Sequence, residues 1–234
     1  MRTARFFVPP EWIAASAEAF CIPAGPLHKQ IVAVLRMKAG DQISLLTNDN
    51  TELECRITEI TRSAVMGVIA GSIVGKPLSP KITVCAAITK RDTFEWMLEK
   101  CTEIGVTEFI PIVTDRTIKR PKENAARLNL IIREASEQSG RFTLPTLTDP
   151  MSFGTAIGHT EDMVRVAMHE TGGTTLPKIH KTSAVALFVG PEGGFTDEEI
   201  TALRSAGAHL VTFGNLVFRA ETAAIVGSTL LKFS

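Results

Sequence analysis

The sequence has little of three features, and each shortage excludes a class of protein. Its formal net charge is zero, because 25 lysines and arginines balance 25 aspartates and glutamates, so any surface for nucleic acid has to be a local patch. No apolar run approaches the roughly 20 residues of a membrane span, and we expect no signal peptide after Met1. The sequence therefore predicts a cytoplasmic protein without a membrane partner.

The four cysteines are too widely spaced to suggest a metal site or a disulfide framework. Cys21, Cys55, Cys85 and Cys101 include no C-x-x-C pair. Reduced, buried thiols in a cytoplasmic protein fit this spacing better, and we expect no bound metal. Apolar residues make up 44% of the 234 residues, which is ample for a packed core and argues against disorder.

Residues 1–72 are predicted to form a small β-rich domain. Its strands are expected at residues 5–8, 42–46, 52–58 and 63–70. One helix is predicted between the first two strands, with an apolar face of Leu27, Ile31, Val34 and Leu35. Several short strands at short spacing favour a compact barrel, and residues 71–80 are predicted to be a linker.

Residues 73–234 are predicted to form an α/β domain with a mainly parallel sheet, because long apolar runs alternate with amphipathic helices. Strands are expected at 82–88, 109–113, 163–168, 184–189 and 209–213, and helices at about 92–104, 123–138 and 196–206 and from about 221 onward. Asp92 and Glu95 are predicted to cap the first helix, and Thr196 the third. Pro111 favours an edge strand or a bulge.

Two glycine-containing turns follow strands of this second domain, at 190–194 and at 213–223. In α/β folds ligands bind at the carboxyl ends of strands, and glycine lets the backbone approach a ligand closely. Neither turn has the dinucleotide pattern G-x-G-x-x-G or the phosphate-binding G-x-x-x-x-G-K-[ST], and Glu192 would repel a phosphate. The residues alone therefore predict a small-molecule site, for a neutral or cationic ligand such as an adenosine.

Several blocks resemble the bacterial 16S rRNA (uracil-N3)-methyltransferases of the knotted SPOUT superfamily. They are residues 188–195, Gly214 and Arg219-x-Glu221-Thr222-Ala223, with 99–106, 134–141, 5–8, His28, 34–36 and 40–41 elsewhere in the chain. The resemblance implies an α/β trefoil-knot methyltransferase domain with a mainly parallel sheet, preceded by a small PUA-like β-barrel domain that binds RNA. It also implies a homodimer, S-adenosylmethionine as cofactor, and 16S rRNA or the small ribosomal subunit as partner. Leu216 and Phe213 depart from the family, which usually has a basic residue and a leucine there.

The resemblance further implies that three loops, at residues 168–170, 190–194 and 213–223, bind S-adenosylmethionine. The expected cofactor-binding residues are Met168, His169, Val189, Gly190, Pro191, Glu192, Gly193, Gly194, Phe213, Gly214, Leu216, Val217, Phe218 and Thr222.

Methyl transfer from a sulfonium is an in-line displacement that needs no metal and depends mainly on positioning. We expect Arg219 to be catalytic and to stabilise the negative charge that develops on the uracil ring when N3 loses its proton. Glu221 is the second expected catalytic residue. A carboxylate or bulk water accepts the proton, and Glu221 and Glu192 are the nearest candidate carboxylates. Simpler roles are open: Glu192 is favoured as a partner of loop amides, Glu221 suits a helix start, and His169 suits a structural role.

Local basic residues are expected to contact the RNA backbone, because phosphates need nearby lysines and arginines rather than net charge. These residues are Arg5, Arg36, Arg116, Lys119, Arg120 and Arg141. A merely solvated basic face is the alternative. Two other functions also stay open: a non-catalytic RNA-binding or ribosome-assembly protein, and a methyltransferase of the same superfamily that acts on transfer RNA.

Overall fold

The structure of the chain, a computed structural model, describes residues 3–117, 124–176, 180 and 184–233. The chain forms two compact units, one of Met1–Pro77 with Ser136–Thr143 and the other of Leu78–Ala135 with Leu144–Ser234. The predicted division after residue 72 falls inside a strand that ends at Val74. As a boundary between domains it stays a prediction.

The first unit is built on a five-stranded mixed sheet. Its strands are β1 (Ala4–Phe7), β2 (Ala19–Pro23), β3 (Gln42–Leu46), β4 (Thr51–Ile60) and β5 (Ala64–Val74), in the order β1-β3-β4-β5-β2. β1 and β3 are parallel, and the other pairs are antiparallel. A short helix α1 (Pro26–Lys29) runs into a π-helical turn (Gln30–Val34), and a 3-10 turn spans Pro10–Trp12.

Two expectations for this unit are wrong in detail, and one of its strands is missing from them. The strand β2 was not predicted. In the helical segment Ile31 is buried, but Val34 is 72% exposed, because the chain changes to a π-helical turn at Gln30 and the side-chain period changes with it. The expected linker begins inside β5, whose end pairs with β4 from Thr51 to Glu54.

The second unit holds a parallel sheet with helices on both faces, as predicted. Its elements are β6 (Lys81–Ala87), α2 (Arg91–Ile104), β7 (Glu108–Val113), α3 (Ala125–Ser139, whose last turn belongs to the first unit), β8 (Thr146–Leu147), β9 (Met151–Ser152), α4 (Phe153–His159), β10 (Val164–Met168), β11 (Ala184–Val189), α5 (Asp197–Ser205), β12 (His209–Val211) and α6 (Ala220–Phe233). The strand order is β12-β10-β11-β6-β7-β8, with β9 also paired to β7. All these pairings are parallel, which confirms the predicted fold class of this part of the chain.

Both faces of this sheet are buried, which explains the continuous apolar runs in the sequence. Alternate residues of each strand pack on opposite faces. Leu187 lies in the core that includes α2 and α6, whereas Phe188 lies in the core that includes α4 and α5. Each of these two side chains is fully buried.

Some ends of helices and strands follow from local sequence signals, and others do not. Thr196 caps α5 as predicted, and its hydroxyl and the Glu199 carboxylate form a reciprocal capping box. The predicted cap at Asp92 is wrong, because α2 begins one residue earlier and has no side-chain cap. At Pro111 the outer pairing of β7 is interrupted, with β8 pairing before it and β9 after it, as expected for a residue without an N–H group.

Among the described residues, no helix combines the length and the apolar character needed to cross a membrane.

Candidate functional site

A cavity of about 400 Å³ opens where three neighbouring strands of the second unit end. The sheet register brings these ends together, because Met168 of β10 pairs with Val211 of β12 and Ala167 pairs with Phe188 of β11. The cavity is lined by residues 168–171 after β10, 189–195 after β11, and 213 and 216–220 after β12, together with Arg116, Asp197, Val211 and Ala223. Three segments that follow three different strands therefore line one cavity, and both glycine turns are among them, as predicted.

The turn after β11 is tight and depends on glycine. The Gly194 N–H donates a hydrogen bond to the Pro191 carbonyl at 2.9 Å, and Gly194 has a φ of +68°, a conformation that suits glycine. A Cβ atom on Gly190 would lie 3.2 Å from the Gly194 carbonyl carbon and from the Phe195 nitrogen. Gly190 is therefore needed because the turn folds back against its own start.

The end of this turn is anchored in the core. The ring of Phe195 is buried, with its centroid 5.5 Å from that of Phe153 on α4. The helix α5 then begins with the capping box of Thr196. The turn is therefore fixed at its far end as well as at the strand.

The segment after β12 forms the opposite wall. The rings of Phe213 and Phe218 lie 5.0 Å apart, and the Thr212 hydroxyl donates a hydrogen bond to the Glu170 carbonyl at 3.1 Å. Leu216 and Val217 are each 66% exposed and line the cavity. The ring contact and the hydrogen bond hold this segment next to the segment that follows β10.

Arg219 is the last residue before α6, and its exposed side chain lines the cavity. Within the described parts of the chain, its guanidinium has no hydrogen-bond or ion-pair partner. A cation without a protein partner at a cavity wall is available to a ligand.

Most residues expected to bind the cofactor lie on this cavity wall. They are Met168, His169, Val189, Gly190, Pro191, Glu192, Gly193, Gly194, Phe213, Leu216, Val217 and Phe218. Gly214 and Thr222 do not line it, and neither does Glu221, which lies in the first turn of α6. Glu221 directly follows the lining residues Arg219 and Ala220, and the roles of all these residues stay predictions.

Four further lining residues were missed: Thr171, Phe195, Asp197 and Val211. Thr171 lies just beyond the predicted loop, and Phe195 and Asp197 follow the glycine turn directly. Val211 ends β12, which stops two residues earlier than predicted. These residues could have been found from their closeness in sequence to the predicted loops.

The expected RNA contacts of Arg5 and Arg141 are wrong, because both side chains are buried in the first unit. Arg5 forms an ion pair with Glu52 at 2.7 Å and donates to the Arg141 carbonyl at 3.0 Å. Arg141 donates from Nε to the Thr143 carbonyl at 3.0 Å, and burial lowers the pKa of its guanidinium to about 10. These arginines hold the segment 136–143 within its unit.

The other expected RNA contacts divide into three cases. Arg36 is exposed on the first unit, as a phosphate contact requires. Arg116 lines the cavity and donates two hydrogen bonds to the glycine turn. Lys119 and Arg120 lie outside the described residues.

The cavity carries charges of both signs, because Glu170, Glu192 and Asp197 line it together with Arg116 and Arg219. These charged groups lie beside apolar side chains such as Met168, Val189 and Phe218, so the cavity can both orient a polar ligand and pack against an apolar ring. No group of three or more His, Cys, Asp or Glu side chains that could hold a metal ion is found in the described part of the chain. A parallel α/β unit with such a cavity at its strand ends has the arrangement of an enzyme that binds a nucleotide-like ligand.

Comparison with known proteins narrows this class to one family. Residues 76–232 match the family model described as an RNA methyltransferase domain, and residues 31–69 match the one described as an RNA methyltransferase PUA domain. The chain therefore belongs to the RNA methyltransferase family that these models describe. The predicted family is confirmed, and so is the PUA assignment of the first unit.

Named relatives and solved structures agree with this membership. The chain is 28% identical over 233 residues to the ribosomal RNA small subunit methyltransferase E of Bacillus subtilis, covering 93% of this chain and 91% of that protein. The crystal structure of the ribosomal RNA small subunit methyltransferase E of Neisseria gonorrhoeae bound to S-adenosylmethionine matches with a TM-score of 0.88 and 27% identity, over 98% of this chain and 97% of that one. A putative methyltransferase of Legionella pneumophila, also in complex with this cofactor, matches with a TM-score of 0.85 and 29% identity, over 99% and 97%.

Proposed function

We propose that the protein transfers a methyl group from S-adenosylmethionine to N3 of a specific uridine in 16S rRNA. The observation that carries the proposal is one cavity, at the ends of β10, β11 and β12, lined by the glycine turn and by Arg219, whose guanidinium has no partner among the described residues. Family membership supports RNA methylation, and the names of the relatives support the RNA of the small ribosomal subunit. Solved structures of similar proteins with S-adenosylmethionine bound support the cofactor.

The residues of the cavity fit S-adenosylmethionine. A volume of about 400 Å³ lies within the usual range for ligands of drug size, roughly 300–1,000 Å³. The side chains of Met168, Val189 and Phe218 offer apolar contacts to an adenine ring. Backbone groups of the glycine turn can hydrogen bond to its edge, and the carboxylates of Glu192 and Asp197 suit a ligand with positive charges.

The reaction depends on positioning and on charge stabilisation. S-adenosylmethionine, when bound, supplies an electrophilic methyl group on a positively charged sulfur. Arg219 stabilises the negative charge that spreads over the uracil oxygens as N3 loses its proton. Glu192 lies on the wall and Glu221 does not, so Glu192 is the better placed of the two predicted proton acceptors. Bulk water is the remaining acceptor.

Methylation of isolated ribosomal subunits tests the proposal. Small subunits from cells that lack this gene are incubated with the protein and labelled S-adenosylmethionine, and the methylated nucleotide is mapped. We expect label at N3 of one uridine, and none in subunits from cells that carry the gene, because that site is already methylated. A parallel reaction with transfer RNA separates the alternatives. Label there and none in small subunits would favour a methyltransferase that acts on transfer RNA, and binding to small subunits without any label would favour a non-catalytic RNA-binding or ribosome-assembly protein.

We also propose a homodimer that acts in the cytoplasm, where its ribosomal substrate is made. The last turns of α6 support a protein interface, because Leu230 is 39% and Phe233 76% exposed. Sedimentation equilibrium tests this assembly, and a single species of 25.3 kDa at micromolar concentration would contradict it.

A further inference from the structure

Arg116 extends from the turn after β7 to the glycine turn of the cavity, 77 residues away in the sequence. Its Nη1 atom lies 2.6 Å from the Gly193 carbonyl oxygen and 3.3 Å from the Phe195 carbonyl oxygen. The stem of the side chain lies alongside the turn, since a Cβ atom on Gly193 would be 3.5 Å from Cδ of Arg116. One guanidinium therefore holds two backbone carbonyls of residues 190–195, the glycine turn with Phe195, which we call the cofactor turn.

The backbone next to Arg116 is held by a second contact, which comes from the helix α5 that follows the glycine turn. The buried carboxylate of Glu199 accepts a hydrogen bond from the Asp115 N–H at 3.0 Å and from the Thr196 N–H at 2.8 Å. Glu199 thus joins the residue before Arg116 to the residue after Phe195. Hydrogen bonds to a charged group are stronger than those between neutral groups.

The short turn of Arg116 is also closed within itself. The Thr117 hydroxyl accepts a hydrogen bond from the Thr114 N–H at 2.9 Å, and the Thr117 N–H donates to the Thr114 carbonyl at 3.1 Å. The position of the guanidinium is thereby set before a ligand arrives. Such fixing of a binding turn lowers the entropy lost when the ligand binds.

We propose that Arg116 is a positioning residue for the cofactor turn rather than a contact to the RNA backbone, and that Glu199 keeps Arg116 in place. This inference rests on the proposed function, because it takes the ligand of the cavity to be S-adenosylmethionine. Arg116 acts by holding Gly193 and Phe195, so that the backbone groups of the turn face the cavity before the cofactor enters.

The two possible roles of Arg116 predict different affinities for S-adenosylmethionine in the absence of RNA. If Arg116 positions the turn, Arg116→Ala weakens S-adenosylmethionine binding by the free protein, by about tenfold for the loss of charge-assisted hydrogen bonds at a partly exposed site. If Arg116 contacts RNA, cofactor affinity in the free protein stays at the wild-type value and only the KM for RNA rises. Isothermal titration with S-adenosylmethionine alone separates these outcomes.

Three further variants extend this test: two alter the contact of Arg116 or Glu199, and the third is a control. Arg116→Lys should recover part of the affinity, because its ammonium can donate to one of the two carbonyls. Glu199→Gln should weaken binding in the same direction, because an amide presents only one acceptor oxygen to the two N–H groups. Arg133→Ala removes an exposed arginine of α3 and should bind the cofactor as the wild type does.

Amide hydrogen exchange separates a local opening of the turn from a loss of overall stability, because an overall loss would also speed exchange in the core strands. In Arg116→Ala we expect faster exchange at Gly194 but unchanged exchange in the strand β11, with a melting temperature close to that of the wild type. Wild-type protein that binds no S-adenosylmethionine would remove the proposed function. Wild-type binding together with an equal affinity in Arg116→Ala would overturn this inference alone.

Discussion

The Nη2 atom of Arg5 lies 2.7 Å from the Oε2 atom of Glu52, and the two side chains are only 7% and 15% exposed. Removing one partner of a shielded ion pair leaves the other charge without compensation. We therefore expect Arg5→Met to lower the free energy of unfolding by about 3 kcal/mol. Urea denaturation followed by circular dichroism measures this change.

Two variants control the measurement on Arg5. Arg62→Met removes an exposed arginine of the same unit and should change the stability by less than about 0.5 kcal/mol. The double variant Arg5→Met, Glu52→Leu should regain much of the lost stability, because no unpaired charge is left behind. If Arg5→Met were as stable as Arg62→Met, the ion pair would contribute nothing to folding.

Gly190→Ala should damage the cofactor turn without unfolding the protein. The added methyl group would lie 3.2 Å from backbone atoms of Gly194 and Phe195, which cannot move aside as a flexible side chain would. The turn has to open to make room, so we expect the affinity for S-adenosylmethionine to fall by about tenfold or more, a cost of roughly 1.4 kcal/mol. Equilibrium binding of the labelled cofactor measures it.

A glycine elsewhere in the same unit provides the matched control. Gly158 lies in the helix α4, and a methyl group added there would meet no atom within 4 Å. Gly158→Ala should stabilise the protein by about 0.5–1 kcal/mol, because alanine favours the helix. Its cofactor affinity should be unchanged. Equal losses of cofactor affinity in both variants would show that a methyl group in the turn has no specific effect on binding.

The buried runs and the glycine turns could be predicted because their signals are local. A strand such as Ala184–Val189 is apolar throughout, since both faces of the sheet are covered. The turn at 190–194 has glycines where close approach and a positive φ require them. Once β10, β11 and β12 were placed side by side, the site at their ends followed from the general rule for such sheets.

Contacts between distant segments could not be predicted. Arginine in a sequence suggests exposure, yet Arg5 is buried because Glu52 and the Arg141 carbonyl lie beside it. The segment 136–143 belongs to the first unit through similar contacts, such as the hydrogen bond from the Phe7 N–H to the Glu137 carboxylate at 2.9 Å. Such contacts between distant segments leave no periodic pattern in the local sequence, so the sequence alone does not reveal them.

The strand β2 shows a second reason why an element can be missed in the sequence. Phe20 and Ile22 are buried and alternate with Cys21 and Pro23, which are exposed, so the period of two is present. The alternation covers only five residues and ends in a proline, which is too short for the pattern to stand out from a loop. The pairing of β2 with β5 decides its structure.

The four cysteines should differ sharply in reactivity. Burial raises the pKa of Cys55 and Cys101 to about 12, and it raises that of Cys85 as well, so these thiols stay protonated at pH 8. Cys21 is exposed. A thiol reagent that reacts with thiolates should therefore label one cysteine quickly in the native protein and all four after denaturation.

The variant Cys21→Ser identifies that thiol, because it should abolish the fast reaction while leaving the total after denaturation at three. Raising the pH from 8 to 9.5 should still not release the buried cysteines, since their raised pKa values lie above this range and the reagent cannot reach them. Fast labelling of a second cysteine in the native Cys21→Ser variant would contradict the buried positions.

Arg219→Ala should separate turnover from cofactor binding. The guanidinium lies on the cavity wall, and no residue in the part of the chain that the structure describes pairs with it. We expect it to interact with charge that exists only in the transition state. The rate of a single turnover on small subunits should fall by about 100-fold, whereas the affinity for S-adenosylmethionine should change by less than about threefold. Arg219→Lys should retain an intermediate rate, because it keeps a charge but loses the planar guanidinium. If cofactor affinity collapsed in Arg219→Ala instead, the arginine would be a binding residue, and the stabilisation of the uracil anion would have to come from another group.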